Sequence, residues 1–290
     1  MTILVTAATG QLGRLVVESL LERVPATEVA VAVRDPEKAA DLAALGVDVR
    51  QADYSEPETL RTALTGVDRV LLISGTDMGA RVEQHRAVIE AAKQAGVGLL
   101  AYTSIFGGDD TTFALADDHH ATEALLRASG VPYALLRNAW YTEVYTAQLG
   151  TYLQFGAVTG SSGDGRVASA ARRDYAEAAA VVLTTEGHRN AVYELSGDTA
   201  WSFSELAAEI AAQSGKPVVH HDVPFEEHVQ IMVGAGLPEP VARMFADVDA
   251  GIGRGELAGT PGELSRLIGR RTTPLADSVK QALAAAPTAG

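Results

Sequence analysis

Cysteine is absent from all 290 residues. That excludes disulfides, thiolate zinc sites, iron–sulfur clusters and thiol nucleophiles. Long apolar runs are missing too: nothing reaches the roughly 18 consecutive apolar residues of a transmembrane helix. The first residues, MTILVT, lead straight into a strand-like segment, without the basic region and apolar core of a secretory leader. A cytoplasmic protein is expected. Positive charge is in short supply, with 23 Lys and Arg against 37 Asp and Glu and a formal net charge of −14. An acidic surface repels nucleic acid and anionic membrane, so neither is expected as a partner. The plain meaning of the charge is solubility. What remains is a globular composition, 47% hydrophobic and 21% charged, long enough for one large α/β domain and a smaller lobe.

Short β-branched runs alternate with amphipathic segments. Strands are expected at Thr2–Thr6, Glu28–Val33, Val47–Arg50, Arg69–Ser74, Gly98–Ser104 and Tyr133–Arg137. Leu12, Leu15, Val16, Leu20 and Leu21 have helical spacing, as do Val82, His85, Val88, Ile89 and Ala92. Strand, helix, strand in repetition predicts an α/β fold with a doubly wound parallel sheet, a Rossmann fold. After about residue 140 the pattern changes. GAVTGSSGDG at Gly156–Gly165 reads as turn-rich, Arg173–Glu186 as a helix with Asp174 near its start, and Val192–Leu195 as a returning strand. Ser202 or Ser204 is placed to cap a helix carrying Leu206, Ile210 and Ala211. The tail is helical from about Gly262, with Pro274 near a helix start and AAAPTAG fraying. The expected division is a dinucleotide-binding domain over 1–137 with a return segment near 174–197, and a smaller C-terminal α/β substrate lobe from 138–173 and 198–290. Phe225–Gly236 is expected to help cover the cleft.

TAATGQLG, Thr6–Gly13, follows the first strand and opens the first helix, the context that a dinucleotide-phosphate turn requires. Gly10 lets the backbone approach the pyrophosphate, and Gly13 lets the helix pack closely on the sheet. The helix N-terminus offers free N–H groups to the phosphates. Ala7 stands where the usual spacing has its first glycine, so this turn needs negative φ or mild strain. A small-residue β–α turn without a ligand is the alternative. Arg34 and Asp35 follow the second strand. An arginine there suits the 2′-phosphate of NADPH, and Asp35 leaves NADH open. Asp53 could lie near an adenine or, equally, cap a helix, as could Ser55. Ser74-Gly75-Thr76 ends the fourth strand with residues small enough to let a cofactor cross the sheet edge, or as a plain turn.

TAATGQLG, VRDPEKA, RQADYSEPETL, LLISG, AYTS, LADDHHATE, LLRNAWYTE and VYELSGD together resemble the NmrA-like atypical short-chain dehydrogenases. Within them the chain is most similar to the bacterial NAD(P)H:quinone oxidoreductase type 2 group, with triphenylmethane reductases nearby. The resemblance spans nearly the whole chain and departs from the family pattern at Ala7, where the family has glycine. It implies hydride transfer from NADPH to a quinone or similar planar aromatic acceptor, with no flavin and no metal. It also implies a cofactor held by Thr6, Ala7, Thr9, Gly10, Gln11, Leu12, Arg34, Ser74, Gly75, Thr76, Thr103, Asn138, Trp140 and Tyr141. Arg172–Tyr175 matches a family block as well, with a helix start as its nearer role.

Ordinary short-chain dehydrogenases carry Tyr-x-x-x-Lys on a helix beside a serine on the preceding strand, the tyrosine protonating the developing alkoxide. Here the strand supplies Tyr102-Thr103-Ser104, but the helix carries His119-His120-Ala121-Thr122-Glu123 and no Tyr-x-x-x-Lys. His119 and Glu123 share one helix face and, with Tyr141, are the candidate catalytic groups, His119 or Tyr141 protonating or orienting the product. A quinone fits such a site, because its reduced anion is delocalised and hydride transfer then rests on proximity and orientation. Trp140 and Tyr141 offer flat surfaces to an aromatic ring, or pack between lobes. An NADP(H)-binding redox sensor without turnover is the alternative from another class, and triphenylmethane dye reduction the alternative substrate. Adjacent histidines, His119-His120 and His220-His221, point apart on a regular element; His119 with Glu123 could supply two ligands, but without cysteine support a surface helix pair is the better reading, and no metal site is expected. No G-x-S-x-G nucleophile elbow occurs. A monomer and a homodimer are both open.

Overall fold

A computed structural model of the chain describes residues 1–77 and 79–285; the AAAPTAG end lies largely outside the described residues. Strands β1 (Ile3–Thr6), β2 (Val29–Val33), β3 (Asp48–Gln51), β4 (Arg69–Leu72), β5 (Leu99–Ile105) and β6 (Tyr133–Asn138) fall where the apolar runs predicted them. Later strands are β7 (Ala157–Gly160), β8 (Arg166–Val167), β9 (Ala191–Leu195), β10 (Trp201–Ser202) and β11 (Val219–Asp222). The helices are α1 (Gln11–Leu21), α2 (Ala40–Ala44), α3 (Pro57–Ala63), α4 (Arg81–Ala95), α5 (Leu115–Ser129), α6 (Glu143–Thr146), α7 (Leu149–Phe155), α8 (Arg172–Thr184), α9 (Phe203–Ser214), α10 (Phe225–Gly234), α11 (Glu239–Gly253), α12 (Glu263–Ile268) and α13 (Leu275–Ala285).

A seven-stranded parallel sheet runs in the order β3-β2-β1-β4-β5-β6-β9. ILVT of β1 and VAVAV of β2 are buried at every position, as strands covered by helices on both faces must be. The chain builds outward from β1 to β2 and β3, then returns to place β4 on β1's other side. The order therefore reverses between β1 and β4, and the carboxyl ends of these two strands open the crevice where such sheets bind ligands. Helix α8 packs on α1 through a run of small residues, Ala176 and Ala178–Ala180, all buried.

Contacts divide the chain into two compact units: Met1–Ile105, Asp118–Asn138 and Arg172–Glu194 in one, and Phe106–Asp117, Ala139–Ala171 and Leu195–Gly290 in the other. Phe106–Asp117 joins the second unit because α11 and the segment after it hold it. Asp247 accepts the Ala114 N–H at 2.7 Å, and Glu256 accepts the Thr112 N–H at 2.8 Å. Part of Gly156–Gly165 corrects the turn expectation. Its first half is β7, paired in parallel with β11. Gly160 serves close packing there: a Cβ would meet the Phe203 ring at 2.5 Å and Asp249 Oδ2 at 3.0 Å. Ser202, rather than Ser204, caps α9, in a reciprocal capping box with Glu205. Around Val229, Ala242 and Ala246, α10 packs on α11. Among the described residues no helix is long and apolar enough to cross a membrane.

Candidate cofactor and active site

At the switch point β1 ends in Thr6 and the chain turns tightly into α1. The Ala7 carbonyl accepts the Gly10 N–H at 3.0 Å, and Ala7 takes φ +50°. Of the two conformations open to alanine here, the turn adopts the strained one. Gly13 is indispensable to it. A Cβ on Gly13 would lie 2.7 Å from Ala8 Cα and closer still to the Ala7 carbonyl oxygen, both backbone atoms. Helix α1 begins with no side-chain cap and no acidic residue in its first turn, while Gly10 and Gln11 are exposed. Its first N–H groups are thus available to an anion, with the helix dipole in support. Ala7→Gly relieves the left-handed alanine. It is expected to stabilise the chain by about 0.5–1 kcal/mol, the left-handed penalty less glycine's extra chain entropy. A higher Tm with NADPH affinity retained is the expected readout, and a lower Tm would contradict the strain.

The next strand end carries the specificity candidates. Asp35 is engaged as a cap: its Oδ1 accepts the Glu37 N–H at 3.1 Å, and Lys38 lies 3.7 Å from Oδ2. Arg34 beside it is exposed, and its guanidinium has no hydrogen-bond or ion-pair partner among the described residues. Of this pair only the arginine is free to meet a ligand. Asp53 caps its own turn, accepting the Ser55 N–H at 2.8 Å.

Several candidates spend their side chains within the protein. Thr6 Oγ1 donates to the Leu71 carbonyl and accepts the Ile73 N–H, each at 3.0 Å, and the Tyr54 hydroxyl joins it. Thr103 Oγ1 accepts the Ser74 N–H at 2.9 Å. These bonds bring together the carboxyl ends of β1, β4 and β5, so Thr6 and Thr103 shape the crevice rather than lend it free hydroxyls. Thr9 and Ser74 are half-buried, Leu12 and Asn138 buried, and Thr76 exposed. Just past Asn138, in the second unit, Trp140 and Tyr141 are half-buried. There the Ala170 N–H donates to the Trp140 carbonyl at 3.1 Å, and Thr142 Oγ1 bonds Ser169 Oγ at 2.8 Å.

On α5, His119 and Glu123 occupy the same buried face but have different partners. His119 Nδ1 lies 2.8 Å from the Tyr102 hydroxyl, and Tyr102 is wholly buried. Burial, helped by the charge of Arg81, lowers the His119 pKa to about 3, and burial raises that of Tyr102. Neither group is matched to giving up a proton near neutrality. Glu123, 1% exposed, accepts from Ser104 Oγ at 2.6 Å, from Arg137 through both oxygens at 2.9 and 2.7 Å, and from Arg127 at 2.8 Å. Burial alone would raise its pKa, but Arg137, Ser104 and Arg127 outweigh it and the carboxyl titrates below its ordinary range. Arg137 also reaches Glu194 at 2.8 Å, so Glu123 is the hub of an ion network joining α5, β5, β6 and β9. That arrangement suits architecture better than proton transfer. Among the described residues no group of three or more His, Asp or Glu could hold a metal ion.

Comparison with known proteins agrees with this geometry. Residues 7–186 match the model of a family described as NAD(P)H-binding. The chain is 48% identical to quinone oxidoreductase 2 of Escherichia coli over 277 residues, 96% of this chain and 97% of that one. The chain belongs to the NAD(P)H-binding, NmrA-like family. Among solved members, the E. coli NADPH-dependent quinone oxidoreductase complexed with NADPH superimposes with a TM-score of 0.95 at 48% identity, covering 97% of this chain and all of that one. The Citrobacter triphenylmethane reductase complexed with NADP(H) gives 0.93 at 44% identity, again covering 97% and 100%.

Two members of the crevice escaped the sequence pattern. Arg81 is buried on α4, where the apolar stripe pointed to Val82, and His85 is more than the packing residue its spacing suggested. The spacing of Arg81 and His85, one turn apart just after the Ser74–Thr76 turn, was the available signal.

Proposed function

We propose that this chain transfers a hydride from NADPH to a quinone without flavin or metal. The observation that carries the proposal is the state of the groups beside β5: Tyr102 buried against His119, both poor proton donors near neutrality, and Glu123 held ionised. Such a site does not serve acceptors that need a proton delivered with the hydride. A quinone accepts a hydride to give a delocalised hydroquinone anion, which then takes its second proton from water. NADPH supplies the hydride when bound; the chain supplies binding and orientation. The uncapped first turn of α1 and the Thr6–Gly13 turn fit its pyrophosphate, the free Arg34 guanidinium fits the 2′-phosphate, and Ser74–Thr76 and Asn138 complete the contact. The likeness to a triphenylmethane reductase favours a triarylmethyl dye as a second acceptor of the same flat, delocalised kind. A cytoplasmic enzyme acting on a small aromatic partner, rather than on nucleic acid or membrane, completes the proposal.

Arg34→Ala tests the cofactor assignment. Losing charge-assisted bonds to a phosphate, worth about 2 kcal/mol, is expected to raise the NADPH KM about thirtyfold and leave the NADH KM unchanged. Equal effects on the two cofactors, or none, would remove Arg34 from the 2′-phosphate.

A further inference from the structure

The Ser74–Thr76 turn is held by a grip that spans two helices. The Gly75 N–H donates to His85 Nε2 at 2.9 Å, and the Gly75 carbonyl accepts from Arg81 Nε at 2.7 Å. Both backbone polar groups of one residue are thus taken by side chains one turn apart on α4. Helix α5 backs each of them, again at one-turn spacing. Thr122 Oγ1 lies 3.0 Å from His85 Nδ1, and Asp118 Oδ2 lies 3.5 Å from an Arg81 terminal nitrogen. The directions of the bonds are determined. Because Nε2 accepts, the single proton of neutral His85 sits on Nδ1 and is donated to Thr122, which donates onward to the Asp118 carbonyl at 2.8 Å. Tyr54 and Tyr102 pack edge-on against the imidazole, with ring centroids 6.3 and 5.4 Å away. Burial lowers the His85 pKa to about 3, so the ring remains a neutral acceptor at working pH.

Arg81 is 5% exposed, and one of its terminal nitrogens has no hydrogen-bond partner among the described residues. One carbonyl and one long ion pair are sparse compensation for burying a guanidinium. A residue so expensive to bury, and aimed at a turn, is explained by what it positions.

We propose that Arg81 and His85 are positioning residues for the cofactor, clamping Gly75 so that the Ser74–Thr76 turn meets NADPH in one preset conformation. This rests on the assignment of that turn to the cofactor contact. The clamp acts on binding and is not part of hydride transfer. Its loss therefore raises the KM and Kd for NADPH while kcat at saturating NADPH holds. A residue that only supports the fold would behave oppositely, lowering Tm and active fraction with KM unchanged.

The test measures NADPH Kd by fluorescence, NADPH KM and kcat, and Tm for four variants of the full chain. His85→Leu removes the acceptor, and its Kd and KM are expected to rise about tenfold, the effect of one lost hydrogen bond. His85→Gln keeps an acceptor at the Nε2 position, and it should remain within about threefold of the parent. Thr122→Val is isosteric and leaves Gly75 untouched; it loosens the imidazole and should weaken NADPH about threefold, so it carries the test alone if His85→Leu does not fold. Thr76→Trp places bulk on the exposed turn itself. If Thr76→Trp weakens NADPH but folded His85→Leu and Thr122→Val bind within about twofold of the parent, the clamp is overturned. If Thr76→Trp leaves binding unchanged, the turn does not contact the cofactor and the proposal falls with that assignment.

Discussion

Gly13→Ala should lose NADPH binding and much of its stability together. One methyl is added, but it would be driven into Ala8 Cα at 2.7 Å and into the Ala7 carbonyl. Those atoms are main chain at the exit of a central strand. Ile3–Thr6 is fixed on both sides by β2 and β4, so the turn cannot yield without shifting β1 or α1. Overpacking against backbone belongs at the upper end of its usual range, about 3 kcal/mol or more. The same shift moves the Ala7–Gly10 turn and the first N–H groups of α1. A displacement of about 1 Å in such a positioning element is enough for a hundredfold loss in cofactor use. Isothermal titration with NADPH and a thermal melt read the two effects. A variant that melts with the parent and binds NADPH normally would mean that the Ala7–Gly13 contact is loose, and that the turn does not depend on glycine there.

Glu123→Ala is expected to destabilise the fold by about 3–5 kcal/mol, the usual consequence of removing one partner from a buried ion pair. The loss comes less from the carboxylate than from what it leaves: the Arg137 side chain, 12% exposed, would keep only Glu194. The folded fraction is expected to retain kcat, because both carboxylate oxygens are already taken up by Ser104, Arg127 and Arg137. A normal Tm with kcat lost by orders of magnitude would restore Glu123 as a catalytic group. The network also sets a pH limit. The Glu123 pKa is lower in the folded chain than in the unfolded one, so its stabilisation is present above the unfolded value of about 4.3 and disappears as pH falls through the lower folded value. Between neutral pH and about 5, Glu123 should contribute no pH dependence to stability, and the Glu123→Ala chain should lack part of the acid-side decline. His119 works in the same direction from a different cause, because burial disfavours its charged form. Its folded pKa lies below the unfolded value near 6.5, so the folded state gives up stability as pH falls below about 6.5.

The sheet was legible because its strands are buried on both faces and read as unbroken apolar runs; β1 to β6 lie within one or two residues of their expected bounds. The tight turn from β1 into α1 was legible too, since the small residues of TAATGQLG couple a strand to a helix. Polar residues that work from inside were not. Hydropathy passes over a buried cation, so the α4 stripe was traced through Val82 when Arg81 is the buried position. Glu123 read as a catalytic partner of His119 because helical spacing shows a shared face. Only the three-dimensional structure shows that Ser104 and Arg137, distant in sequence, take up its oxygens. Gly160 read as a turn because glycine commonly marks one; the Phe203 ring that excludes a Cβ comes from a helix far along the chain. Strand β11, VHHD, is largely exposed and polar, and its pairing with β7 left no apolar signature to find.

The most direct measurement is NADPH oxidation by the purified chain, stripped of flavin, with a simple benzoquinone. Its rate must be compared with the unaided reaction at several protein concentrations. The expected result is a rate proportional to protein and saturable in both NADPH and quinone, with one hydroquinone formed per NADPH, and with NADH poorer than NADPH until Arg34 is replaced by alanine. No rate above the unaided reaction, from protein that still binds NADPH, would contradict a quinone reductase and leave a cofactor-binding sensor in its place.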